Sequence, residues 1–149
     1  MPRPAGPAAG NENLLDTNIL VSGLLHSQGN PAQVLGLALS GAIQVAHDER
    51  ILAEYRDVLA RPRFRFDSDR VRDVLNKFEA DGLAVDASGV TNLDLPDADD
   101  EAFLAVALAS SADFLVTGNL VHYPPDKRRS CAVVSPAAFI QYWRKSHAD

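Results

Sequence analysis

The chain has 149 residues, 46% of them apolar, and a formal charge of −6. That length and apolar content imply one domain with its own core and exclude disorder of the whole chain, while the acidic balance argues against a passive, generally basic nucleic-acid binder. A lone cysteine, Cys131, excludes an intramolecular disulfide framework and a cysteine-based zinc site, and His26, His47, His122 and His147 lack zinc-ligand spacing.

Residues 1–12 are rich in Pro, Ala, Gly and Asn without apolar periodicity and read as a disordered lead-in, so the domain is expected over 13–149. Leu14-Leu15 is a short apolar run closed by Asp16. After it, Leu20, Val21, Leu24 and Leu25 keep helical spacing. Asn30-Pro31 reads as a cap followed by proline at the first helical position, and Gly41 stops that helix. Ile43–Ala46 reads as a buried strand. Asp48 then caps a helix to about Ala60 with Ile51, Leu52, Tyr55, Val58 and Leu59 on one face, and a further helix covers Ser68–Asp81. Leu83–Val85 reads as a strand, and Asp97–Asp100 lead into an alanine-rich helix to Ser111. Phe114–Thr117 and Ala132–Val134 are strands, and Ser135-Pro136 opens a terminal helix carrying Phe139, Ile140 and Trp143. Strands alternating with helices imply an α/β fold whose parallel sheet is covered on both faces, with ligands beyond the carboxyl ends of its strands. Asp16 and Asn119 each follow a predicted strand and fall on that edge. No stretch approaches a membrane span and no signal-peptide core is present, so a cytoplasmic protein is expected.

Helix geometry then selects among the acids. At about 100° per residue, Glu54 falls about 40° outside the apolar arc of its helix, while Asp57 points roughly opposite. In the helix after Asp97, Phe103, Leu104, Ala107 and Leu108 define the inward face, and Asp100 falls near its middle. Asp16, Glu54 and Asp100 thus come from three elements, each with a reason to face one cleft edge. Carboxylates gathered there repel one another unless a cation intervenes, and oxygen ligands suit Mg²⁺ or Mn²⁺. Each residue also has a plainer reading: Asp16 as a helix cap, Glu54 as a solvated flank, Asp97–Glu101 as an ordinary acidic helix start, and Asn119 as a turn residue.

The segments also carry a family resemblance. Asp16-Thr17-Asn18-Ile19-Leu20-Val21-Ser22 resembles the opening motif of PIN-domain proteins. Glu49 to Leu59 resembles the second, with Glu54 at its acid. Asp97 to Ala107 resembles the third, with Asp100 at the metal position, and Ala112 to Asn119 resembles the fourth. The resemblance runs from about Leu14 to Trp143. It implies a three-layer fold, a central mostly parallel sheet flanked by helices, and an Mg²⁺- or Mn²⁺-dependent ribonuclease with Asp16, Glu54 and Asp100 on the metal and Asn119 assisting through water. It further implies the small VapC-like toxins, with an antitoxin partner, an RNA substrate and a homodimer. Two departures stand out: Asn119 replaces the aspartate of many members and is followed by His122-Tyr123-Pro124, and polar Asn11, Glu12 and Asn13 occupy the first strand.

For substrate contacts, Thr17, Asn18, Ser22 and Thr117 are candidates to hydrogen-bond the acids or the scissile phosphate, with Thr17 also readable as a cap. Arg61, Arg63 and Arg65, interleaved with Phe64 and Phe66, and the run Lys127-Arg128-Arg129 are candidate phosphate contacts; both clusters also read as solvated surface. Phe64 and Phe66 are expected as core plugs rather than base-stacking platforms, and His122 as a structural loop histidine rather than a phosphate contact. A non-catalytic PIN module binding RNA or a protein is the alternative. A phosphatase of the Asp-x-Asp type is disfavoured because Asp16-Thr17-Asn18 lacks the second aspartate, and a receiver domain because neither a phospho-accepting aspartate after a middle strand nor a late lysine is evident.

Overall fold

A computed structural model describes residues 11–147. The elements are β1 (Glu12–Leu15), α1 (Thr17–Leu25), α2 (Asn30–Ser40), β2 (Gln44–His47), α3 (Glu49–Leu59), α4 (Ser68–Asp81), β3 (Leu83–Ala84), α5 (Glu101–Ser110), β4 (Phe114–Val116), β5 (Val133–Val134) and α6 (Pro136–Ser146). Short 3-10 turns at Pro62–Phe64, Ala98–Asp100, Leu120–His122 and Pro125–Lys127 punctuate them. The sheet order is β3-β2-β1-β4-β5, and every pairing is parallel. All carboxyl ends therefore share one edge, and the central position of β1 puts Asp16 in its middle.

The first strand starts at Glu12, inside the segment expected as a lead-in; the rest of that expectation, residues 1–10, lies outside the described residues. Its polar residues are tolerated because β1 gains backbone pairing on both sides, with Asn13 opposite Val45 and Phe114. Asn13 is buried at 1% exposure with its Oδ1 unpaired, which costs stability that the fully buried Leu14 and Leu15 offset. A second difference is at α2. Gly29, not Asn30, is the cap residue, and Asn30 is already helical. Gly29 sits at φ 108, where a side chain is strained, and Gly41 ends the same helix at φ 87. Asp48 caps α3 through Ile51 N–H at 3.0 Å.

The core is one cluster. Tyr55 of α3 packs edge-on to Phe78 of α4 and against Phe103 of α5. Its hydroxyl donates to the Leu15 carbonyl at the end of β1, which fixes α3, and hence Glu54, beside Asp16. α5 lies on β1, β2 and β4, and its buried Ala105 and Ala107 allow that close approach. α6 packs on β4 and on α2. No described helix is long and apolar enough to cross a membrane.

Candidate metal centre

Asp16 is both cap and site residue, because its two oxygens divide the work. Oδ1 accepts from Thr17 N–H at 2.8 Å at the start of α1. Oδ2 accepts from Thr117 Oγ1 at 2.8 Å, from Tyr123 Oη at 3.3 Å and from Asn18 Nδ2 at 3.4 Å. Thr117 follows β4, so the adjacency of β1 and β4 builds this cradle across the sheet. Asn18 stitches the same two strand ends, accepting from Gly118 N–H at 2.9 Å, and a side chain at 118 would crowd that amide. Asp16 is 5% exposed, and burial pushes its carboxyl above the usual range against the pull of the Thr117, Thr17 and Tyr123 donors.

Asp100 precedes α5 and makes no capping bond with its side chain. It is 8% exposed and turned toward the Asp16 side. Burial first, then the negative field of Asp16, push its carboxyl up to about 7; His122 pulls down and Asp97 adds to the rise. Its Oδ2 is buried and lies 3.0 Å from His122 Nδ1.

Glu54 is half-buried at the edge of the α3 apolar face. Burial raises its carboxyl, followed by the fields of Asp99, Asp57 and Asp16 against that of Arg61. It makes no hydrogen bond among the described residues. Asp16 thus acts on both Glu54 and Asp100, but the three do not close into a single-ion shell. The group of ligand atoms that does lie within 4.8 Å of one another, among the described residues, is Asp97, Asp100 and His122. The residues present fit a divalent cation: the carboxyls of Asp16 and Asp100 are both buried and Asp100 feels the charge of Asp16, and an ion relieves both penalties.

The remaining expected residues are placed as follows. Asn119 is half-buried, with its N–H on Thr117 Oγ1 at 3.0 Å and its Nδ2 3.0 Å from His122 Nε2, so its amide is spent on the histidine. The buried Thr17 Oγ1 has no hydrogen-bond partner, and Ser22 lies one turn further along α1 without a side-chain hydrogen bond. Arg61 pairs with Asp57 at 3.2 Å, and Arg63 stands over the Phe64 ring at 4.8 Å. Phe64 and Phe66 stack on each other half-buried; Phe66 touches the core, and neither is a buried plug, because the short turn at Pro62–Phe64 has no buried residue and leaves the stack at the surface. The run Lys127-Arg129 is structural. Lys127 pairs with Asp94 at 2.9 Å, Arg128 donates to the Tyr123 carbonyl, and Arg129 donates to the Thr91 and Asn92 carbonyls. Asn92 and Asp94 are in left-handed backbone, and these cations hold that loop.

Sequence reasoning missed two members of the site, Tyr123 and Asp97, and undervalued His122. The His-Tyr-Pro stretch was the available signal: a 3-10 turn at Leu120–His122 brings a side chain three residues past Asn119 back over it.

No curated protein matches the chain in sequence. Among solved structures it is similar to a chain in the crystal structure of VapBC2 from Rickettsia felis bound to a DNA fragment from their promoter. The TM-score is 0.54 at 17% identity, over 83% of this chain and 98% of that one, a likeness of fold. The family model described as PIN domain matches residues 12–121, a span that holds Asp16, Glu54, Asp100 and Asn119 together with the strands and helices that carry them. With the acids at the carboxyl edge of a parallel sheet, the chain belongs to the PIN-domain family.

Proposed function

We propose that this protein is a metal-dependent endoribonuclease, the toxin of a toxin–antitoxin pair acting in the cytoplasm. The observation that carries the reading is the Asp16–Asp100 pair, two buried carboxyls in each other's field on the ligand-binding edge of a PIN-family sheet. Asp16, Glu54 and Asp100 would hold Mg²⁺ or Mn²⁺. Such an ion, when bound, activates water and stabilises charge on a phosphodiester. The chain's own residues do the rest. Thr117, Tyr123 and Thr17 N–H fix the Asp16 carboxylate so that no reorganisation is needed when charge develops. Thr17 Oγ1, Asn18 and Ser22 line the start of α1, whose amide dipoles favour a phosphate. Arg61 and Arg63 lie beyond Glu54 on the path of the RNA backbone. The products are a 3′-hydroxyl and a 5′-phosphate.

The likeness to a VapBC2 chain supports an antitoxin partner for this protein as well, and the family resemblance implies a homodimer. The test is cleavage of RNA with Mg²⁺ or Mn²⁺ by the wild type, Asp16→Asn and Asp100→Asn. Undiminished cleavage by both variants overturns the metal assignment. The neutral Asn119 favours a second reading, a non-catalytic PIN module that binds RNA or a protein. Calorimetry separates the two: RNA binding without Mn²⁺ uptake supports the module.

A further inference from the structure

Between the end of α3 and the start of α4 lies a cavity of about 360 Å³ that the metal centre does not use. Leu59, Phe66, Val71 and Leu75 supply its apolar wall, and Arg56, Arg61, Arg65 and Arg72 border it. In a chain of net charge −6 these are four of only 14 basic residues, and no carboxylate among the described residues lines the cavity with them. The larger hollow beside β2 and β3 has the opposite character, with Asp48, Glu49, Glu79 and Asp86 around it. Charge thus selects an anionic ligand for the cavity between α3 and α4. Its arginines are available for one. The guanidiniums of Arg56 and Arg65 have no ion-pair partner among the described residues. Arg61 and Arg72 pair with Asp57 at 3.2 Å and Asp69 at 2.9 Å, but both pairs are solvent-exposed, hold weakly and exchange for a phosphate.

Shape selects the class of anion. The cavity is at the small end of ligand sites and takes one planar group, not the face of a helix. Phe66 carries Phe64 stacked on it, with ring centroids 5.4 Å apart and planes 16° from parallel, and the Arg63 guanidinium lies 4.8 Å over Phe64. Planar groups are therefore already piled at the cavity's edge, as where single-stranded RNA docks its bases on aromatic rings and guanidinium planes. Ser68 and Asn76 border the same cavity with side chains that make no hydrogen bond among the described residues, so a base edge finds donors and acceptors there. An acidic peptide satisfies the arginines but leaves the stacked rings unused. Arg61 follows Glu54 by seven residues, two helical turns or roughly 10 Å, and its charge acts on Glu54. The cavity is thus within reach of a strand that crosses the acids.

We propose that the cavity between α3 and α4 receives one unstacked base of a single-stranded RNA, with the flanking phosphates on its arginines, and so sets which nucleotide stands beside the cleavage site. The link to cleavage rests on the nuclease reading; nucleotide binding rests on the cavity alone.

NMR titration of the metal-free protein tests this with the monophosphates of adenosine, cytidine, guanosine and uridine, and with ribose phosphate as the same anion without a base. At least one nucleotide is expected to shift the signals of Phe66, Val71 and Leu75 and to bind at least about tenfold more tightly than ribose phosphate. Phe66→Leu lowers that affinity about tenfold. Because Phe66 touches the core, the exposed Asn76→Ala is the second variant, and it changes the order of preference among the four bases. Equal binding of ribose phosphate and all four nucleotides leaves only an arginine patch and overturns the base pocket. So does the absence of any response at millimolar concentration, and so does unchanged binding in both variants. A short glutamate–leucine peptide that shifts Phe66 and Leu75 where no nucleotide does overturns it in favour of a protein partner. RNA cleavage separates the two readings: nucleotide binding without cleavage removes the nuclease and leaves the pocket, and cleavage without nucleotide binding removes the pocket and leaves the nuclease.

Discussion

Asp16 and Asp100 are almost equally buried, yet the fold treats them differently. Asp16 stands at the end of the central strand among four donors, two from the start of α1 and two from the segment beyond β4. Asp100 stands before α5 with a single imidazole nitrogen 3.0 Å from its Oδ2. Hydrogen bonds from the fold hold Asp16 in place as an anion. Asp100 is held by the rigidity of its turn, and its charge is left for something else to neutralise. The contrast teaches that one carboxylate is built as scaffold and the other as receptor.

Replacing either acid tests the contrast most strongly. Asp16→Asn and Asp100→Asn are each expected to reduce RNA cleavage by about 100-fold or more, since each removes a charge that holds the ion. Their stabilities should move in opposite directions. Asp16→Asn turns an acceptor surrounded by donors into a partial donor and costs about 1–3 kcal/mol in denaturant titration. Asp100→Asn removes an uncompensated charge and stabilises the metal-free protein at pH 8 by about 1–2 kcal/mol. Destabilisation by both would erase the distinction.

The pH dependence carries the same sign. The Asp100 carboxyl is raised to about 7, so the folded state binds this proton more tightly than the unfolded chain, whose carboxyl keeps its ordinary value. The stabilisation from protonation is present at low pH and is lost as pH rises through about 7. Melting of the metal-free wild type should therefore shift upward between pH 8 and pH 5, and Asp100→Asn should flatten that shift. A smaller effect probes the scaffold side. Thr117→Val removes the 2.8 Å donor to Asp16 and should cost about 1–2 kcal/mol with little change at Asp100. Least of all, Tyr55→Phe frees the Leu15 carbonyl at the end of β1 and should cost about 1 kcal/mol, read as a fall in melting temperature.

The scaffold side was the more legible in the sequence. Alternating elements, the amphipathic faces of α3 and α4, and the run before Asp16 lead to the parallel sheet without knowledge of any contact. Helix phase alone placed Asp100 inward and Glu54 at the border, and both lie there. The receptor side was legible only in part. Whether Asn119 reaches water or a histidine depends on a three-residue 3-10 turn, which has no periodic signature. Lys127 and Arg129 were equally opaque, because the carboxylate and the carbonyls they hold lie more than thirty residues away in the chain. Asn13 defeated hydropathy for a different reason: the innermost strand of a sheet is secured by pairing on two sides, so it tolerates a polar residue that an edge strand could not bury.

The outer strands β3 and β5 are each two residues long, while all the pairing capacity of β1 is consumed internally. Sheets that end this way present almost no free backbone ladder to another chain. Strand addition is therefore closed as a route to association, for a second copy and for an extended peptide alike. Whatever joins this protein must do so through helices and loops, and the sheet is left to a single task, carrying its carboxyl edge.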